Sequence, residues 1–180
     1  MSVWDPWRGC RKYSEGCKFC YIHKGDRKRG VNTEEIIKTD KLTKRIDRFV
    51  QCIPDNWGEG YDNVTVGCTV ENQDRADYRL SIFSKLPIKH KNIICQPLIG
   101  KICIECYLEG IELVVAGGES DYNARPLHYD WVLSLREQCL EKGVHFQFRQ
   151  CGTHFIKDGK EYTLKTRDLC SQARKAGIDC

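Results

Sequence analysis

Short apolar runs alternate with amphipathic helical stretches along most of this chain, and each run closes on glycine or a polar pair. That rhythm limits the fold most tightly. Asn63–Val70 places Val64, Val66, Cys68 and Val70 on one side of a strand, and Asp74–Leu86 follows with helical spacing up to Pro87. Asn92–Cys95 is a short buried strand broken by Gln96-Pro97; Ile102–Leu108 accommodates a short helix. Ile111–Ala116 is an apolar strand running into Gly117-Gly118. Tyr129–Lys142 is an amphipathic helix with Trp131, Val132, Leu135, Cys139 and Leu140 inward, ended by Gly143. Val144–Phe148 is the next strand, residues 151–164 hold a loop and a hairpin around Asp158-Gly159, and a last helix covers Asp168–Ala176. Upstream, residues 1–20 are irregular, 21–29 form a short polar helix, and Lys41–Cys52 reads as a helix stopped by Pro54.

Strand and helix in alternation specify an α/β fold with a mostly parallel sheet. Four or five strands are too few to close an eight-unit barrel of about 250 residues. The expectation is one α/β domain over residues 1–180, a partial barrel or an open curved sheet, with 151–180 as a C-terminal extension. A length of 180 residues with 41% hydrophobic side chains is enough for one buried core. In either architecture ligands sit at the carboxyl ends of the strands. Those ends carry Glu71-Asn72-Gln73, Gln96-Pro97, Gly117-Gly118-Glu119-Ser120 and Arg149-Gln150, which suit a pocket for a polar small molecule. Glycines at 117 and 118 let the backbone approach a ligand closely, and Glu119 could accept from an ammonium or from ribose hydroxyls. A tight strand-to-helix turn would also explain them. Glu71 and Asn72 read equally as a ligand site or as a cap for the helix that follows.

Twelve cysteines stand out. No charged start with an apolar run and cleavage site opens the chain, and no apolar run approaches the ~18–20 residues that span a membrane. The expectation is a cytoplasmic protein with reduced thiols, in which cysteine clusters serve metal or redox chemistry. The densest cluster runs Gly9-Cys10, then Ser14-Glu15-Gly16-Cys17-Lys18-Phe19-Cys20-Tyr21, a C-x6-C-x2-C spacing. Three thiolates in a glycine-bearing loop can converge on one centre, and thiolates suit zinc or iron–sulfur clusters. A structural zinc site is closed by four ligands; three leave one iron of a 4Fe–4S cluster open. A C-x2-C pair is also half of an ordinary zinc site, so both metals remain open on spacing alone.

Net charge is +4, unevenly spread: residues 1–50 carry 13 Lys+Arg against 7 Asp+Glu. Lys24, Arg27, Lys28 and Arg29 form a basic run that reads as a solvated face or as a track for a nucleic-acid backbone. Lys44-Arg45 and Arg48 read as a solvated helix end or as contacts to phosphate or carboxylate. Cys103-x2-Cys106 is a second pair, read as two unrelated thiols or as part of an auxiliary cluster with Cys151, Cys170 or Cys180. Cys52, Cys68, Cys95 and Cys139 fall on apolar faces and behave as small core residues.

The cysteine segment resembles the cluster loop of radical S-adenosylmethionine enzymes, in which an aromatic residue precedes the third cysteine, as Phe19 does here. That superfamily commonly has three residues in the first gap; this chain has six. The wider pattern resembles a phage-associated, radical-SAM-like family with the longer spacing. It comprises Trp4-Asp5-Pro6-Trp7 before Gly9-Cys10, Thr43-Lys44-Arg45, Thr69-Val70-Glu71-Asn72-Gln73, Gln96-Pro97-Leu98, Gly117-Gly118-Glu119-Ser120 with Ala124-Arg125-Pro126, and Phe148-Arg149-Gln150 before Gly152. The resemblance implies a partial (β/α) barrel and a 4Fe–4S cluster on Cys10, Cys17 and Cys20. It implies S-adenosylmethionine as cofactor, with Phe19, Glu71, Asn72, Gly117, Gly118, Glu119 and Ser120 around it. Lys44, Arg45, Gln96 and Gln150 are then candidates for the substrate. The implied chemistry is reductive cleavage of S-adenosylmethionine to a 5′-deoxyadenosyl radical that abstracts hydrogen. Its implied partners are an electron donor such as a flavodoxin or ferredoxin, and a companion protein. Relatives carry a further strand and helix between positions like Asp40 and Lys41, so this barrel is expected to be incomplete near residue 40, or Asp40 and Lys41 not to be directly joined. The competing expectation is a non-catalytic zinc or iron–sulfur module, associated with nucleic acid.

Overall fold

The structure, a computed structural model, describes residues 7–8, 14–30, 32, 34, 37–38 and 46–180; for Trp7, Arg8, Tyr21, Ile22, Ile37, Lys38, Asp47 and Arg48 it describes the backbone alone. The expectations placed on Cys10, Lys44, Arg45 and the Asp40–Lys41 junction lie outside the described residues. The chain forms two compact units, Met1–Gly58 and Glu59–Cys180.

In the first unit, β1 (Trp7–Arg8) pairs antiparallel with β2 (Ile37–Lys38), and α1 (Tyr21–Lys28) lies between them in sequence. A 3-10 turn, Glu15–Cys17, precedes α1. The helix expected over Lys41–Cys52 is, in its described part, a 3-10 helix over Ile46–Gln51. Asp47, Phe49 and Val50 are poor α-helix formers, and Pro54 follows closely, so a tighter coil of one or two turns results. Phe49 packs edge-on against Trp57 with ring centroids 5.6 Å apart, both rings buried.

The second unit carries the α/β pattern. Strands β3 (Thr65–Thr69), β4 (His90–Cys95), β5 (Ile111–Gly117) and β7 (His145–Gln150) form one sheet in that order, every pair parallel. Helix α2 (Gln73–Phe83) connects β3 to β4, and α3 (Tyr129–Lys142) precedes β7. The register lines up Cys68, Ile93, Val114 and Phe146 across the sheet, all at most 3% exposed. Helix α2 adds Ala76, Leu80 and Phe83, and α3 adds Val132, Leu135 and Cys139, at the one-face spacing of an α-helix. Leu140 corrects the expected inward face: at 44% exposure it lies about 100° round the helix from Cys139. The opposite face of the sheet shows Thr69 and Gln147 exposed, with Asn92 and Ile94 half-buried.

A second sheet has the order β6 (Leu127–His128), β8 (His154–Lys157), β9 (Lys160–Thr163). The β8–β9 hairpin turns at Asp158 and Gly159, with φ of 52° and 71°, the paired positive values of a type I′ turn. β6 was outside the expected elements, because two residues are too few to show a period. The Ile102–Leu108 helix shrinks to a 3-10 turn at Glu105–Tyr107. Two glutamines clamp the extended stretch before it: Gln73 bonds Cys103 N–H and C=O, and Gln138 bonds Ile104 N–H and Ile102 C=O. α4 (Leu169–Lys175) packs on β7. Among the described residues no helix is long and apolar enough to cross a membrane.

Candidate functional site

Parallel strands point their carboxyl ends the same way, so the polar residues that terminate β3, β4, β5 and β7 gather at one end of the sheet. The segment after β4 ties them together. Leu98 N–H donates to Gly117 C=O at 2.8 Å and Ile99 N–H to Glu71 C=O at 2.9 Å. At Gly117 a Cβ would lie 3.0 Å from Gln96 Cδ and 3.2 Å from Gln150 Cγ, so the two expected glutamines converge on this glycine. Gln150 Nε2 donates to Gly118 C=O at 2.6 Å. At Gly118 a Cβ would lie 2.7 Å from Gly152 Cα and 2.8 Å from Cys151 O. Gly118 is therefore required by backbone packing, whatever else it does, whereas Gly117 faces two side chains.

The four polar candidates after β3 and β5 divide sharply. Asn72 caps α2: its side-chain oxygen accepts from Arg75 N–H at 3.0 Å. Its helix-cap role is thus realised. Glu119 is 7% exposed and spends both oxygens on Arg125, accepting from its N–H at 2.8 Å, its Nε at 3.1 Å and its Nη2. That carboxylate closes the 119–125 loop. Ser120 beside it is exposed. Glu71 is 1% exposed; Arg79 Nη1 donates to its Oε2 at 2.8 Å and to Thr69 C=O at 2.6 Å. Its Oε1 is buried and has no hydrogen-bond partner among the described residues. Arg79, eight positions along and on the next helix, was missed because a tertiary pair leaves no local spacing. Arg125 stood in the Ala-Arg-Pro motif, but nothing in the sequence tied it to Glu119.

Removing Arg125 should strand a nearly buried carboxylate. Arg125→Met is expected to lower stability by about 2 kcal/mol, the range for hydrogen bonds to a charged group with one partner a quarter exposed. Urea unfolding checks it; a loss under about 0.5 kcal/mol would mean solvent replaces the pair.

In the first unit, Cys17 and Cys20 sit on one turn, both half-buried thiols, with Cys20 N–H donating to Cys17 C=O at 3.3 Å. Cys20 is the N-cap residue of α1, and Ser14 Oγ lies 3.8 Å from Cys17 Sγ. Phe19 between them carries Lys18 Nζ over its ring at 5.4 Å. Among the described residues no group of three or more Cys, His, Asp or Glu is arranged to hold a metal.

The remaining cysteines separate by burial. Burial pushes the Cys68, Cys139 and Cys151 thiols up to about 12, and raises Cys95 further, so they are protonated small core groups. Cys52 is half-buried. Cys103 lines a shallow cavity of about 460 Å³ with Gln73, Lys101 and Ser134, whereas Cys106 lines a different one beside Glu109 and Lys142. Because the thiolate is the nucleophile, iodoacetamide at pH 8 should label the exposed Cys103, Cys106, Cys170 and Cys180 within minutes and spare Cys68, Cys95, Cys139 and Cys151. Peptide mapping reads this out; fast labelling of Cys68 or Cys95 would contradict the packed core.

No curated protein and no solved structure matches the chain. The family model described as "Protein of unknown function (DUF5131)" matches residues 37–175, taking in both sheets of the second unit and every strand-end residue above, and the chain belongs to that family.

Proposed function

We propose that the protein is a radical S-adenosylmethionine enzyme, its sheet part of a (β/α) barrel, with a 4Fe–4S cluster held by Cys10, Cys17 and Cys20. The observation that carries the reading is the Cys17–Cys20 turn, where two half-buried cysteines stand on one short loop that leads into a helix N-terminus. The donor set fits the group. Thiolates are the ligands of such clusters, and a helix N-terminus favours the negative charge of a thiolate-ligated cluster. Held there by the cysteines, a 4Fe–4S cluster would supply one-electron reducing chemistry for cleavage of a carbon–sulfur bond of S-adenosylmethionine.

The protein's own groups bind and orient. The cysteines tether the metal, and Phe19 stands between Cys17 and Cys20 with Lys18 Nζ over its ring. At the sheet end, Gln96 and Gln150 offer amide donors and acceptors around a glycine that leaves them room. The Glu119–Arg125 pair fixes the turn on which Gly117 and Gly118 sit. The parallel sheet supports this use of its carboxyl end, since ligands of parallel α/β sheets bind there. The reading calls for a cytoplasmic one-electron donor such as a flavodoxin or ferredoxin.

Anaerobic reconstitution followed by iron, sulfide and zinc analysis tests it, with electron paramagnetic resonance of the reduced protein. The expected protein is brown, holds iron and sulfide in equal amounts, and changes its signal when S-adenosylmethionine is added. Colourless protein with zinc, or a signal indifferent to the cofactor, would make it a non-catalytic metal module.

A further inference from the structure

Three buried carboxylates stand at or just past the carboxyl end of the sheet, and they are not equivalent; Asp121 turns back on its own loop, accepting from Asn123 N–H at 3.0 Å. Glu119 is saturated by Arg125. Glu71 is more deeply buried, yet its one guanidinium neighbour serves a single oxygen and divides its Nη1 with the Thr69 carbonyl. A buried carboxylate oxygen with no donor among the described residues carries an uncompensated desolvation cost until a donor reaches it. Its main chain lies where the Gln96–Ile99 segment is stitched to the sheet, Glu71 C=O accepting from Ile99 N–H at 2.9 Å.

We infer that Glu71 Oε1 is the acceptor for a charged nitrogen of a bound small molecule, an ammonium or guanidinium, with Arg79 as the positioning residue that holds the carboxylate in place. Anionic groups are excluded because they would face a carboxylate. The amine role expected of Glu119 therefore passes to Glu71, which alone of the two has an oxygen to give. The inference rests on reading the strand ends as a ligand site and names the ligand's chemistry there.

The amine can belong to the cofactor or to a separate substrate, and the probes separate the two. Isothermal titration of the reconstituted protein would use S-adenosylmethionine, 5′-methylthioadenosine (which lacks the ammonium), L-lysine and agmatine. Wild type should bind S-adenosylmethionine or one of the two amines, and Glu71→Gln should weaken that binding at least tenfold. Binding of 5′-methylthioadenosine should be the same in both. Glu109→Gln, at an exposed carboxylate that precedes β5, should leave amine affinity within about twofold. If Glu71→Gln does not fold, Glu71→Asp keeps the charge opposite Arg79 but withdraws the oxygen, and should show the same tenfold loss. Amine binding unchanged in the variants that fold, or no amine bound by wild type, overturns the inference. A brown, cofactor-responsive protein whose binding ignores Glu71 would sink this inference alone. A colourless protein that binds lysine through Glu71 would sink the radical-enzyme reading alone.

Discussion

Gly118→Ala should be the most destabilising single-methyl change at the carboxyl end of the sheet. The added Cβ would sit 2.7 Å from Gly152 Cα, 2.8 Å from Cys151 O and 3.0 Å from Gly152 N. Every one of those atoms is backbone, so no side-chain rotation relieves the clash. The two chain segments must separate, and the Gly118 N–H bond to Gln150 C=O, 3.1 Å, and the Thr153 N–H bond to Glu119 C=O, 2.8 Å, are strained with them. Overpacking of this kind costs about 3 kcal/mol or more, which for a chain of this size lowers Tm by roughly 6–12 °C. Gly100→Ala is the control: no atom lies within 4 Å of its Cβ position, and its φ is not in the left-handed region. It should change Tm by about 2 °C at most. A thermal scan of both proteins decides the matter, and a Gly118→Ala protein as stable as the control would mean that the two glycine segments do not touch.

The same turn shows what could be read from the sequence and what could not. Two glycines after an apolar strand announced a close approach, but whether to a ligand or to another chain segment depended on Gly152, which is remote in sequence, just after β7, and adjacent in space. Helix α3 was legible to its ends, because its apolar face repeats over four turns and Gly143, with φ of 66°, stops it. The β8–β9 hairpin was legible for the same kind of local reason, an Asp-Gly pair that tolerates positive φ. Glu119 and Glu71 looked alike as acids at strand ends. Their difference comes from Arg125 and Arg79, whose guanidinium groups arrive from a loop and from a helix. Side-chain pairing across elements has no period, and that is why the candidate site was legible as a list of residues but not as a set of partners.

Cys17→Ala should abolish metal binding while leaving the fold almost untouched. Cys17 lies on a 3-10 turn, half-buried, and the turn is held by main-chain bonds: Cys17 N–H to Ser14 C=O at 3.0 Å and Lys18 N–H to Glu15 C=O at 3.1 Å. Alanine keeps both, so the expected change in stability of the metal-free protein is within about 0.5 kcal/mol. The metal has no such reserve. A site built from three thiolates loses a third of its ligands with one substitution, and no described side chain is placed to substitute for it. Visible absorption of reconstituted Cys17→Ala should therefore fall to the protein baseline, with bound iron below a tenth of wild type. Cys20→Ala should match it. Cys103→Ala provides the contrast, since Cys103 lines a cavity of the second unit and is exposed there; its cluster spectrum should equal that of wild type. A full spectrum in Cys17→Ala would remove the loop from the metal site. Loss of the spectrum in Cys103→Ala would move the site to the second cysteine pair.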